Sequence, residues 1–296
     1  MKSQRKFHFL YEVTIPAMNT KKEIADVVQL WIPVPQDNEF QSVTNLDIQS
    51  PYDYTIGTDP TYGNRMVYLS FLSQKKDITI SLTFNLRRKE ASIYPSKLTP
   101  DEQKLYIQPV KQVPRDKRFE KIASDLLTQT LTKEKGWAIY NHTLERLVYD
   151  KTEEGWGHGD AIRACDIGKG NCTDYHSFFN AIARTAGIPA RFKIGFPVPA
   201  SEAGEISGYH CWTEFYTPKE GWIPLDISEA DKNPDRVNYL FGNLDPDRVL
   251  FSMGRDIELA PPSSNGPVNF FIYPVMEVNG IPSSDYSTRF HFENIE

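Results

Sequence analysis

Three short stretches of this chain carry residue types that can do chemistry together. Gly168-Lys169-Gly170-Asn171-Cys172-Thr173-Asp174 brings a cysteine from a glycine-containing turn onto the start of a helical pattern. Downstream, Tyr209-His210-Cys211-Trp212-Thr213-Glu214-Phe215-Tyr216 holds a histidine in a strand-like run, and Trp222-Ile223-Pro224-Leu225-Asp226 ends on a carboxylate. Thiol, imidazole and carboxylate are the parts of a nucleophile, its general base and the group that orients the base. A cysteine attacks as the thiolate. A helix N-terminus favours that form, because its unpaired N–H groups and dipole stabilise negative charge and can also receive an oxyanion.

The elements that must position these groups are legible. Phe178, Phe179, Ile182, Ala183 and Ala186 mark the buried face of a helix beginning at Cys172, with Asn171 as N-cap and Asp174 in the first turn. Gly187 followed by Ile188-Pro189 ends it, glycine closing the helix and proline barring its continuation. The histidine and carboxylate strands form a hairpin across Pro218-Lys219-Glu220-Gly221. His210 and Asp226 then share a face if the strands pair in an even register, directly opposite or as diagonal neighbours, and are separated if it is odd. In the even case Cys211 points the other way, into packing.

Around this centre the pattern changes along the chain. Residues 1–92 read as a β-rich, sandwich-like domain, with alternating strands at Phe7–Ile15, Val27–Ile32, Met66–Leu72 and Ile78–Leu86. Residues 93–118, punctuated by Pro95, Pro100, Pro109 and Pro114, read as a connector laid along a surface. Helical periodicity follows in a core over 119–260, through Phe119, Ile122, Ala123, Leu126 and Leu127, then Ile139, Leu144 and Leu147. Residues 261–296 read as a C-terminal β extension packing on the core or on the N-terminal domain.

Of the 296 residues, 40% are hydrophobic and 24% charged, the balance of a folded globular chain. A formal net charge of -6 argues against a nucleic-acid surface, and the compact basic run Arg87-Arg88-Lys89 reads as a solvated strand end. No apolar run approaches the roughly 20 residues a spanning helix requires, so membrane insertion is not expected. The stretch Phe7–Val13 follows Lys2, Arg5 and Lys6 but is interrupted by His8 and Glu12, a poor leader core and a good strand. Localisation stays open: cytoplasmic if Met1 is the natural start, exported if a leader has been trimmed. Three cysteines (Cys165, Cys172 and Cys211) leave one over from any pairing, so a disulfide framework is not expected. A single Cys165–Cys172 bridge remains an alternative.

Four blocks in this order resemble the transglutaminase-like superfamily: Gly170-Asn171-Cys172-Thr173-Asp174, Ala186-Gly187-Ile188-Pro189-Ala190-Arg191, His210-Cys211-Trp212-Thr213-Glu214-Phe215 and Trp222-Ile223-Pro224-Leu225-Asp226. The likeness covers about residues 115–260, and Gly254-Arg255-Asp256 is similar to a segment of its bacterial branch. It implies an α+β fold, a papain-like transglutaminase core preceded by a β-sandwich-like N-terminal domain. It also implies Cys172, His210 and Asp226 as nucleophile, base and orienter. Trp137 lies at a distance similar to that of a tryptophan assisting the oxyanion in animal transglutaminases, and Tyr209 beside His210 is a candidate cleft residue. The expected substrate is a peptide or protein carrying a carboxamide or peptide bond, with no cofactor. Hydrolysis by a cysteine protease or amidase is favoured over amine transfer by a true transglutaminase.

Other readings stand beside this one. Cys165, Cys172, His176, His210 and Cys211 have the types of zinc ligands but lack a paired Cys-x-x-Cys or His-x-x-x-His spacing, so no metal site is expected. Asp231–Asp235 and Asn243–Asp247 are acidic and carbonyl-rich without a twelve-residue calcium loop, and read as solvated loop charge. A catalytically idle binding module on the same scaffold, or a purely structural chain, would leave Cys172 unreactive.

Overall fold

The computed structural model describes residues 3–18, 25–129 and 131–295; Met1 and Lys2 of the expected start lie outside them. The chain forms two compact units, each assembled from separated stretches. Unit 1 comprises Met1–Lys89, Ile194–Tyr209 and Pro246–Glu296, and unit 2 comprises Glu90–Lys193 and His210–Asp245. Among the described residues no helix is long and apolar enough to cross a membrane.

With elements numbered along the chain, unit 1 opens with β1 (Gln4–Ile15), β2 (Val27–Val34), β3 (Gln41–Gln49), β4 (Tyr54–Thr58), β5 (Arg65–Leu72) and β6 (Ile78–Lys89). It continues with β11 (Ala203–Glu205), β15 (Arg248–Met253), β16 (Val275–Val278), β17 (Ile281–Ser283) and β18 (Ser287–Asn294). Two five-stranded sheets result, ordered β11-β18-β1-β6-β3 and β17-β16-β2-β5-β4. The four strands expected from alternation are present, because burying every second residue of Phe7–Ile15 or Ile78–Leu86 is what the pattern encodes. β3 escaped that reading because its register shifts between Thr44 and Asp47, where Asn45 takes φ 53°, so its apolar residues change parity midway. Residues 261–296 supply β16 against β2 and β18 against β1, joining both sheets of this unit.

Unit 2 holds β7 (Ala91–Ser92), α1 (Pro100–Ile107), α2 (Lys117–Leu126), α3 (Thr132–Arg146), β8 (Val148–Tyr149), α4 (Ala161–Ile167), β9 (Lys169–Gly170) and α5 (Cys172–Thr185). After the excursion through unit 1 come β12 (His210–Thr217), β13 (Gly221–Leu225), α6 (Ile227–Lys232) and β14 (Asn243–Leu244). β10 (Ala190–Pro197) begins in unit 2, beside β12, and carries the chain onward into unit 1. The proline-punctuated segment is not a plain connector: Thr99 and Glu102 form a reciprocal capping box, and Pro100 starts α1 rather than breaking it.

α5 is the axis of unit 2. Every residue from Cys172 to Arg184 is buried, and the helix packs against α2, α3, α4, α6 and β12. Gly187 ends it at φ 74°, a backbone that a side chain would strain. β12 turns Cys211, Thr213 and Phe215 toward α5, where Thr213 donates to Asn180 Oδ1 at 2.7 Å and Phe215 meets Phe179. Its other face carries buried Glu214, which accepts from Lys193 Nζ at 2.7 Å and Arg191 Nε at 2.8 Å. Burial alone would raise this carboxyl, but the two cations hold it at about 2. Phe178 is fully buried, between Phe119 of α2 and His142 of α3. Phe178→Ala should therefore lower stability by about 3–5 kcal/mol, measured by denaturant unfolding.

Candidate active site

Cys172 is the first residue of α5, and its position is fixed by the turn before it. Asn171 caps the helix, its side chain accepting from the Thr173 amide at 2.9 Å, while Asp174 Oδ2 accepts from the Asn171 amide at 2.9 Å. Asp174 also accepts from the Gly157 amide at 2.8 Å and the Gly159 amide at 3.1 Å, tying the 155–159 loop to the helix start. That grip needs a bare backbone beside it: a Cβ on Gly170 would lie 2.3 Å from Asp174 Oδ2. Burial raises the Asp174 carboxyl, and the three amides offset the effect only in part.

The hairpin pairs Thr213 with Leu225 and Phe215 with Ile223, an even register that leaves His210 and Asp226 as diagonal neighbours. His210 Nε2 lies 2.6 Å from Asp226 Oδ2, and both side chains are buried. Asp226 ends β13 and caps α6, Oδ1 accepting from the Glu229 amide at 3.1 Å and Ser228 Oγ at 3.2 Å. One carboxylate thus stops a strand, starts a helix and holds an imidazole. The three residues singled out in the sequence all lie in unit 2, His210 held by Asp226 and Cys172 at the start of α5.

The electrostatics of these residues favour a charged pair. Burial alone would lower the His210 imidazole, but the charge and hydrogen bond of Asp226, with those of Cys172, raise it to about 10. Burial alone would raise the Cys172 thiol. Hydrogen bonds from Cys211 and His210, and the charges of His210 and His176, bring it well below 9.0. The two directions, His210 up and Cys172 down, are those that favour a thiolate–imidazolium pair.

His176 completes the cluster. It lies one helical turn after Cys172 on the same face of α5, a spacing visible in the sequence but considered there only for zinc. The structure places its Nε2 3.1 Å from the Ile227 amide and 3.7 Å from Asp226 Oδ1, and its Nδ1 3.5 Å from Cys211 Sγ. Cys211 is buried against α5, as its side of the strand requires. Burial lowers the His176 imidazole to about 4, against the pull of Asp226 and Cys172.

The remaining candidates pack in aromatic clusters. Trp137 of α3 stacks on Tyr140 at 5.5 Å and meets Phe241 edge-on at 4.9 Å. Tyr209, which belongs to unit 1, packs on Phe270 and Tyr273. All three cysteines are free thiols. Among the described residues, no group of three or more His, Cys, Asp or Glu side chains is arranged to hold a metal ion.

Residues 120–227 match the core of the transglutaminase-like superfamily. An uncharacterized protein of Haemophilus influenzae is 28% identical over 325 residues, spanning 94% of this chain and 87% of its own length. The uncharacterized protein YebA of Bacillus subtilis is 32% identical over 75 residues, 22% of this chain and 10% of that protein. Among solved structures, the "Putative Cysteine Protease" of Cytophaga hutchinsonii superposes with a TM-score of 0.67 at 16% identity, covering 100% of this chain and 92% of that one. At that identity the likeness establishes the fold, an α+β chain of several sheets.

The two histidines should titrate far apart. In a proton-detected NMR titration, His210 should stay charged until pH climbs through about 10, and His176 should stay neutral until pH falls through about 4.

Proposed function

We propose that this protein is a thiol enzyme acting on carboxamide or peptide bonds, with Cys172 as nucleophile, His210 as acid and base, and Asp226 as orienter. The observation that carries the reading is the buried His210–Asp226 pair, 2.6 Å apart, in the same unit as a thiol at a helix N-terminus whose ionisation the His210 charge favours.

The Cys172 thiolate attacks the carbonyl carbon, and the charge passing to the carbonyl oxygen is received at the α5 N-terminus, where the Cys172 amide is the first donor. The imidazolium of His210 gives its proton to the departing nitrogen as the C–N bond breaks, leaving a thioester. Water then attacks the thioester while neutral His210 takes its proton. Collapse expels the thiolate, yields a carboxylic acid and restores the starting pair. Asp226 keeps the imidazole turned toward the sulfur and stabilises its charge throughout. No step is assigned to Trp137 or Tyr209, whose rings are engaged in aromatic clusters.

Hydrolysis is the favoured outcome, since water is the one acceptor that needs no dedicated site; a protein titled "Putative Cysteine Protease" shares the fold. An amine in place of water would give transglutamination through the same thioester.

Cys172→Ala should abolish turnover of a glutamine-containing peptide library while leaving the melting curve nearly unchanged. Asp226→Asn keeps a helix-capping side chain yet should cost roughly 10³–10⁴-fold in kcat by misorienting the imidazole. Ammonia and new amine termini, assayed with and without added primary amine, distinguish hydrolysis from transfer; turnover that survives Cys172→Ala would end the proposal. The wild-type kcat/KM profile should be flat through neutrality. It should fall on the acid side as Cys172 gains a proton, and on the alkaline side as His210 loses one near pH 10.

A further inference from the structure

The first turn of α6 leaves backbone donors without partners inside the helix, and they lie beside the carboxylate that holds His210. Asp226 Oδ1 accepts from the Glu229 amide at 3.1 Å and from Ser228 Oγ at 3.2 Å. The Ile227 amide is satisfied from another element: it donates to His176 Nε2 of α5 at 3.1 Å, and neither residue has any solvent exposure. An amide N–H can only donate, so that nitrogen must carry a lone pair. A neutral His176 then holds its proton on Nδ1, which lies 3.5 Å from Cys211 Sγ. Tyr175, the preceding residue of α5, donates from its hydroxyl to Asp231 Oδ2 of α6 at 2.9 Å. Two successive residues of the helix that begins at Cys172 therefore grip the helix that begins after Asp226.

We propose that His176 is a positioning residue for the acid–imidazole pair: its Nε2 takes the Ile227 amide, so that Asp226 Oδ2 is left to His210. This role rests on the assignment of Cys172, His210 and Asp226 in the proposed function. A buried amide without an acceptor is costly, so an Ile227 N–H released by His176 must find another. The Asp226 carboxylate is within reach, its Oδ1 lying 3.7 Å from the nitrogen that now accepts the amide. Turning the carboxylate to meet that donor would draw Oδ2 away from His210, which it now holds at 2.6 Å. Histidine suits the position because it accepts without bringing charge. Burial keeps the ring neutral down to about pH 4, whereas a second carboxylate here would repel Asp226. The titratable groups acting on His176 are Asp226, Cys172, His210 and Cys211. His176 also lies one turn after Cys172 on the same helix, so the nucleophile and the acid are held to a common frame.

The test compares His176→Gln, whose amide oxygen can still accept from Ile227, with His176→Leu and His176→Phe, which cannot. Two acceptor-less packings are used so that one folded variant suffices, with folding checked by circular dichroism. The first readout is the His210 titration by NMR, which needs no substrate. The acceptor-less variants should bring it down by about one pH unit as the Asp226 contact weakens, while His176→Gln should stay near wild type. On an amide substrate they should lose roughly 10–100-fold in kcat with KM little changed, and the alkaline limb of kcat/KM should move down with His210. A folded acceptor-less variant with an unchanged His210 titration overturns this role, as does a His176→Gln protein that matches His176→Leu. In the wild type, proton–nitrogen correlation spectra should show His176 Nε2 unprotonated at neutral pH; a proton there overturns the role whether or not any variant folds. A His210 titration that follows the acceptor, in a protein that turns over no amide substrate, supports the positioning role and overturns only the proposed reaction.

Discussion

A carboxylate removed from water must have its charge matched, and Asp226 is matched from several directions at once. It has no solvent exposure, and its oxygens are held by the His210 imidazole, the Ser228 hydroxyl and the Glu229 amide. A lone buried charge would cost several kcal/mol, so each of these groups is constrained to stay. The hairpin register, the start of α6 and the imidazole orientation are consequently one problem with one solution. The chemistry inherits its precision from that constraint: the base is aimed by the same contacts that terminate a strand and begin a helix.

A second buried carboxylate does comparable work on the nucleophile side. Asp174 gathers three amides from the turn and from the 155–159 loop, and so fixes the backbone on which Cys172 rides. The two acids divide the task, one placing the sulfur and the other the imidazole, and neither needs to move during the proposed reaction. Pre-set geometry of this kind lowers a barrier without reorganisation at the moment of reaction. The deep burial of α5 makes its N-terminus rigid, because packing on several sides leaves the helix no alternative seat.

Much of this could be read from the chain alone. The helix from Cys172 to Gly187 was announced by its cap, its apolar face and its stop, and the hairpin by a turn between two apolar runs. Both signals are local, and local signals survive in sequence. The helix at Pro100–Ile107 is equally legible from Thr99 and Glu102, but the surrounding prolines have the pattern of a connector and mask the capping box. His176 and Cys211 were different. Their types and spacings were plain, but the setting of His176 depends on the Ile227 amide arriving from fifty-one positions away. The division into two units was hidden for the same reason: pairing between β1 and β18 leaves no mark within either strand. β3 was lost to a bulge, which breaks the parity on which strand recognition depends.

The threading of unit 1 bears on how the protein is made. Its first strand, Gln4–Ile15, lies between β6 and a strand that ends at Asn294. A ribosome therefore releases one half of that sheet long before the other half exists, and β1 must wait with an unpaired edge until residues 287–294 have been made. Unit 2 faces no such delay, since Glu90–Lys193 and His210–Asp245 have both emerged before the last strands of unit 1 are synthesised. The stretches bearing Cys172, His210 and Asp226 are thus complete before the sheet around β1 can close, so the order of synthesis favours unit 2 assembling while β1 still has an open edge.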